Sequence, residues 1–97
     1  MKITGFDWDA GNWPKCGKHG VSREEIEQLF REGKARIAPD VKHSTQDEGR
    51  YIAVGRVNNR PMFVVFSIRD DFIRPISARY MHAREVNRYE KGTNVQN

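Results

Sequence analysis

Apolar positions change their period several times along the chain, and each change marks a boundary. From Ile3 to Trp8, Thr4, Phe6 and Trp8 alternate with Ile3, Gly5 and Asp7, the period of a short strand. Asn12 then caps a helix reaching about His19, because Pro14 falls in its first turn, where proline is tolerated, rather than in its interior. Gly11 and Gly17 weaken this helix, so one or two irregular turns are expected. The next helix is better specified. Ser22 and Glu25 have capping-box spacing, Val21 and Ile26 stand at staple positions, and Ile26, Leu29 and Phe30 form an apolar stripe. Glu27 and Arg31 add an i, i+4 pair, and Gly33 supplies a left-handed stop, giving a helix over Ser22 to Glu32. The two helices form a hairpin whose loop carries Lys18-His19-Gly20.

After Gly33 the period returns to two. Ala35 to Ala38 is a short strand ended by Pro39-Asp40, and Val41 to Gly49 is a polar loop. Arg50 to Val57, Met62 to Ile68 and Phe72 to Tyr80 are rich in β-branched and aromatic residues. Asn58 to Pro61 and Asp70-Asp71 are turn chemistry, so these three strands form an antiparallel meander. Pro75 cannot donate to a ladder and places the last strand at an edge or at a bulge. His82 to Glu90 returns to a helix with a weak stripe of Ala83, Val86 and Tyr89, and Lys91 to Asn97 is a frayed tail. The pattern predicts an α+β fold, one domain over residues 1–90, with a helix hairpin and a C-terminal helix on an antiparallel sheet.

Composition narrows the class. No apolar run approaches the roughly 20 residues that span a bilayer, and the start lacks the apolar block of a signal peptide. The single cysteine, Cys16, and three scattered histidines make neither an intramolecular disulfide nor a zinc pattern, so a cytoplasmic protein without a metal or other cofactor is expected. Charge is uneven. Residues 1–49 hold 8 Lys/Arg against 9 Asp/Glu, whereas residues 50–97 hold 9 against 4. Eight of those nine cations are arginines, whose planar fork suits phosphate, so a nucleic-acid partner and plain solubilisation are both open.

The order of motifs says more. Phe6-x-Trp8-Asp9, Lys18-His19-Gly20-Val21-Ser22, Arg50-Tyr51, Ile52-x-Val54-Gly55-Arg56, Val64-Val65-Phe66-Ser67-x-Arg69 and Ile73-Arg74-Pro75-Ile76-Ser77-Ala78-Arg79 together resemble the BrnT family of toxins, from about residue 6 to residue 90. The chain departs from the usual pattern at Gly11 and Pro14, and at Ser67, where threonine is common. The resemblance implies a RelE-like fold and a type II toxin, an endoribonuclease that arrests growth by blocking translation. It also implies a BrnA-like ribbon-helix-helix antitoxin that neutralises the toxin in a shared oligomer. Such a complex binds DNA only through the antitoxin and represses its own promoter. The composition alone reaches no further than a basic α+β domain.

RNA is cut without a metal when its own 2′-hydroxyl attacks the adjacent phosphorus, given a base, an acid and cations on the phosphate. Carried over from the motifs, Arg69, Arg79 and Lys18 are the candidate phosphate contacts, and His19 and His82 the candidates for proton transfer. Arg74, Tyr80 and Arg84 join Arg69 and Arg79 as candidate RNA-binding residues. Each has a bland alternative: surface solubility for the arginines, helix ends for the histidines, packing for Tyr80. A non-catalytic co-repressor module and an RNA chaperone remain alternatives. Arg69 and Arg79 share a sheet face only if the Asp70-Asp71 loop is longer than two residues or a bulge near Pro75 shifts the phase. Lys18 or His19 is expected to approach that same face.

Overall fold

The computed structural model describes residues 4–32, 35–44 and 48–87. The expectations for Ile3, Gly33, residues 88–90 and the tail from Lys91 lie outside them. Five strands, β1 (Gly5–Phe6), β2 (Arg36–Pro39), β3 (Arg50–Val57), β4 (Arg60–Arg69) and β5 (Phe72–Tyr80), form one sheet in the order β1-β5-β4-β3-β2. Two helices, α1 (Trp13–Gly17) and α2 (Arg23–Arg31), lie between β1 and β2, and a further helical segment occupies residues 83–87.

The meander β2 to β5 is antiparallel, but β1 runs parallel to β5, so the sheet is mixed rather than wholly antiparallel. Parallel neighbours need a long crossover, and here the whole intervening chain serves as one. β1 has two residues instead of the six expected, because after the Asp7 amide donates to Ile73 O the chain turns away at Asp9. Both hairpins turn in two residues. Asn58 and Asn59 (φ 51° and 65°) and Asp70 and Asp71 (φ 50° and 67°) take the left-handed conformation that such turns demand and that Asn and Asp tolerate. The first turn is thus shorter than the expected Asn58 to Pro61, and β4 starts at Arg60 instead of Met62.

A bulge corrects the phase of the second hairpin. From Arg69↔Phe72 to Phe66↔Pro75 the pairing is regular, then Val65 pairs Ser77 and Ile76 has no partner. The residue beside it explains why: Pro75 has no N–H for the ladder. Its carbonyl is taken instead by Asn12, which is 3% exposed and whose side-chain amide donates to Pro75 O at 2.9 Å and Asp7 O at 2.8 Å. Asn12 Oδ1 accepts from the Asp9 amide at 2.8 Å. Asn12 does stand at the N-cap of α1, yet its side chain makes no capping bond, because those three backbone groups use it.

Ser22 and Glu25 close the expected capping box on α2. Ile26, Leu29 and Phe30 pack on Ala53, Val57, Met62, Val64, Phe66, Ile73 and Ala78, the alternate residues of one sheet face. Phe6, Phe30 and Phe66 follow edge to face, with centroids 5.9 Å and 5.0 Å apart. Outside them, Trp8 meets Trp13 edge-on at 5.5 Å and donates to Glu27, while the Arg23 guanidinium covers Trp13 at 4.6 Å. Cys16 is fully buried, and burial pushes its thiol up to about 11, which suits an inert core residue. Met81 and Val86 are buried outside this cluster, so the chain after β5 has its own small apolar anchor.

Two substitutions test this frame by urea or thermal unfolding. Asn12→Ala strips partners from the Pro75 and Asp7 carbonyls and the Asp9 amide, and is expected to cost roughly 2 to 3 kcal/mol. Gly55→Ala would bring a Cβ to 2.7 Å from Leu29 Cδ1 and 3.3 Å from Ala35 Cα. In a packed core that overlap is expected to cost about 1 to 3 kcal/mol, and an unchanged midpoint would contradict the contact.

Candidate functional site

The chemistry-bearing residues gather around the last residues of β5. On the helix side, the Tyr80 hydroxyl donates to Glu25, and the Arg60 guanidinium lies 3.5 Å over the Tyr80 ring. Burial first, and then the Glu25 bond, raises the Tyr80 pKa, so the phenol stays protonated and acts as a donor, not a base. The same bond is the main reason the Glu25 carboxyl sits below its usual range. Glu25 also accepts from the Ser22 amide at 2.9 Å. Lys18 and His19 are exposed on the connection just before Ser22, where Gly20 (φ +79°) turns the chain toward α2.

The other side of the same strand end carries Arg79, His82 and Arg84. Arg79 makes a bidentate bond to Glu85, 2.7 Å for each arm, and its guanidinium lies 4.9 Å from the Phe63 ring centre. Glu85 also accepts from the His82 amide at 3.2 Å, and the His82 carbonyl opens the helical segment by accepting from Val86. The His82 side chain and Arg84 are exposed. Arg79 therefore presents a two-pronged fork, closed by a helix-borne carboxylate, beside an accessible imidazole.

Arg69 and Arg74 are elsewhere. The bulge does put Arg69 and Arg79 on one face, since Arg69 pairs Phe72 and Arg79 pairs Phe63. They stand six β4 positions apart, however, which is roughly 20 Å of strand and too far to share one phosphate. The single clamp expected from the motifs is thus split into two positions on one face. Arg69 pairs with Glu48 at 3.0 Å. Arg74, with a side chain only 13% exposed, grips Asp9 through both arms at 2.9 Å and 3.1 Å and lies 3.4 Å from Asp7. That pair pulls the Asp9 carboxyl down and fastens the turn between β1 and α1. Lys18 and His19 follow the helix layer, on the side of the sheet away from Arg69 and Arg79, and not the arginine face they were expected to approach.

Glu25, Arg60, Glu48 and Glu85 were not legible as site residues. Glu25 already had a full account as a capping residue, and Arg60 looked like part of a turn. Their partners are distant in sequence or lie beyond a turn whose geometry only pairing defines. Among the described residues no cluster of three His, Cys, Asp or Glu side chains could hold a metal, and no helix is long and apolar enough to cross a membrane.

Chemically, the strand end offers fixed cations for a phosphate, the exposed His82 imidazole for proton transfer and a neutral phenol as a donor. A family model described as the ribonuclease toxin BrnT of type II toxin-antitoxin systems matches residues 8–85. No curated protein and no solved structure matches the chain.

The Arg79 fork makes a pH prediction. Its guanidinium holds the Glu85 carboxyl down to about 2, from an ordinary 4.5. Below pH 4.5 the unfolded chain binds a proton that the folded chain refuses, so this contribution is complete above 4.5 and fades as pH falls toward 2. Glu85→Gln should be less stable than the parent at pH 7 in urea melts, and the two should converge near pH 2. A constant gap across that window would show that the pair does not shift the carboxyl.

Proposed function

The chain belongs to the BrnT family of ribonuclease toxins of type II toxin-antitoxin systems, and from that membership we propose that it is a metal-independent endoribonuclease with a RelE-like fold. It arrests growth in the cytoplasm by cutting RNA needed for translation. The match over residues 8–85 carries this reading, because it contains every candidate residue from Lys18 to Arg84.

In the proposed reaction a 2′-oxygen attacks the adjacent phosphorus as the bond to the 5′-oxygen breaks, leaving a 2′,3′-cyclic phosphate and a 5′-hydroxyl. His82, beside Arg79, is the group for one of the two proton transfers and solvent for the other, and His19, on the helix side of the sheet, contacts the RNA there. Arg79 stabilises the pentavalent phosphate, whose oxygens replace the Glu85 carboxylate on its fork. Lys18, Arg60 and Arg84 attract the flanking phosphates, and Tyr80, held by Glu25, orients the RNA. Arg69 binds a remote part of the strand. Arg74 serves RNA indirectly, by fixing the chain through Asp9.

The inhibitory partner in this reading is a BrnA-like ribbon-helix-helix protein whose acidic or apolar segment covers the arginines. The resulting oligomer binds DNA only through that partner and represses its own promoter. One observation favours a non-catalytic co-repressor instead: both Arg69 and Arg79 are occupied by carboxylates of the chain itself.

Cleavage of total RNA by the purified chain in excess EDTA decides between these readings. Cyclic-phosphate ends are expected, and intact RNA at high protein excess would favour the co-repressor. Arg79→Ala is expected to lower turnover by roughly 10² to 10³ with the fold kept, and with a loss of stability no larger than that of Glu85→Gln. Arg69→Ala should instead weaken RNA binding and reduce its salt slope by about 1, with turnover at saturation kept. Equal turnover losses for both arginines would argue against their separation.

A further inference from the structure

A groove of about 360 Å³ lies at the far end of the sheet from Arg79, lined by Phe6, Asp7, Trp8, Arg69, Asp70 and Phe72. The reaction just described makes no use of it. Phe72 is 37% exposed although it is a large apolar residue in a paired strand. Its ring rests against Gly5, where a Cβ would stand 3.2 Å from the ring, so the ring lies close on the β1 backbone. Beside it, Arg69 is the register partner of Phe72 and contributes a cation. Asp7 and Asp70 contribute carboxylates, which at neutral pH only accept hydrogen bonds.

An exposed aromatic ring, an adjacent arginine and acceptor-only side chains are what an unstacked nucleobase and its phosphate require. The carboxylates choose among bases. Guanine presents neighbouring N1–H and N2–H donors that one carboxylate can accept together, whereas adenine and uracil each place an acceptor beside their donor. We propose that this groove is a base-recognition subsite of the RNA substrate and selects guanine, with Phe72 as the stacking platform, Asp70 reading the donor edge and Arg69 holding the neighbouring phosphate. This rests on the RNA-binding reading above.

Its position supports that role. Phe63 and Arg79 form a register pair on the same face as Arg69 and Phe72, and Arg50 and Arg56 lie on that face in β3. A single strand held at Arg79 therefore meets cations along the roughly 20 Å to the groove, and the selected base lies several nucleotides from the cut.

The test uses the full chain and 2′-O-methyl oligonucleotides, which cannot be cleaved, so binding is read apart from catalysis. Fluorescence anisotropy would compare an oligoadenylate with the same oligomer carrying one guanine at each position in turn. One position is expected to bind roughly five- to tenfold tighter. That gain should vanish in Asp70→Asn, which retains a residue that tolerates the positive φ of this turn and keeps binding of plain oligoadenylate, whereas Phe72→Ala should remove the gain and weaken the other oligomers as well. Absence of a guanine preference in the parent, or its survival in both variants, would overturn the subsite while RNA cleavage stands. No binding of any oligonucleotide together with no cleavage would instead overturn the ribonuclease reading beneath it.

Discussion

The side-chain amide of Asn12 joins the turn after β1 to the bulge in β5, 63 residues away. It satisfies the Asp7 and Pro75 carbonyls and the Asp9 amide at once. An asparagine can do this because one side chain carries both donors and an acceptor. Pro75 disturbs the β5 ladder by lacking an N–H, and the carbonyl at that irregularity would be costly to bury alone. With Asn12 seated there, the bulge beside Ile76 is tolerated, and the bulge puts Arg79 on the face that also holds Arg69. The Arg74 fork on Asp9 fastens the same corner from outside.

Electrostatics at the ends of the sheet follow one pattern. Arg69, Arg74 and Arg79 each meet a carboxylate of the chain itself, from Glu48, Asp9 and Glu85. The Arg74 pair is shielded and holds structure together. The other two are more exposed, with Arg side chains 52% and 38% accessible, and exposed pairs contribute little stability, so a phosphate can displace the carboxylate at small cost. The same chemistry, a planar cation facing two oxygens, thus serves a joint in one place and a binding position in the others. Accessibility separates them.

Local elements were largely legible. The α2 capping box, the bounds of β3 and β5 and the apolar stripe of Ile26, Leu29 and Phe30 follow from residues within one or two turns of each other. The motif order identified the family. The site was legible only in part: Arg79, Tyr80, His82 and Arg84 share one strand end because they are close in sequence, but Tyr80 faces the helices and Arg79 the opposite side. Arg74 and Arg69 were both candidate RNA-binding residues, and only the approach of Asp9, 65 residues from Arg74, gives Arg74 a structural role instead.

By itself, then, the sequence determined the element types, the turn positions, the apolar face of α2 and the excess of arginine in the second half, all consequences of short-range sterics, capping and periodicity. Tertiary structure alone decided that β1 lies parallel to β5, that the bulge restores the phase between Arg69 and Arg79, that some 20 Å of strand separates them, and that Glu25 reaches Tyr80. These depend on pairing between segments distant in the chain. A strand's register is a relation between two segments, and neither segment encodes it alone.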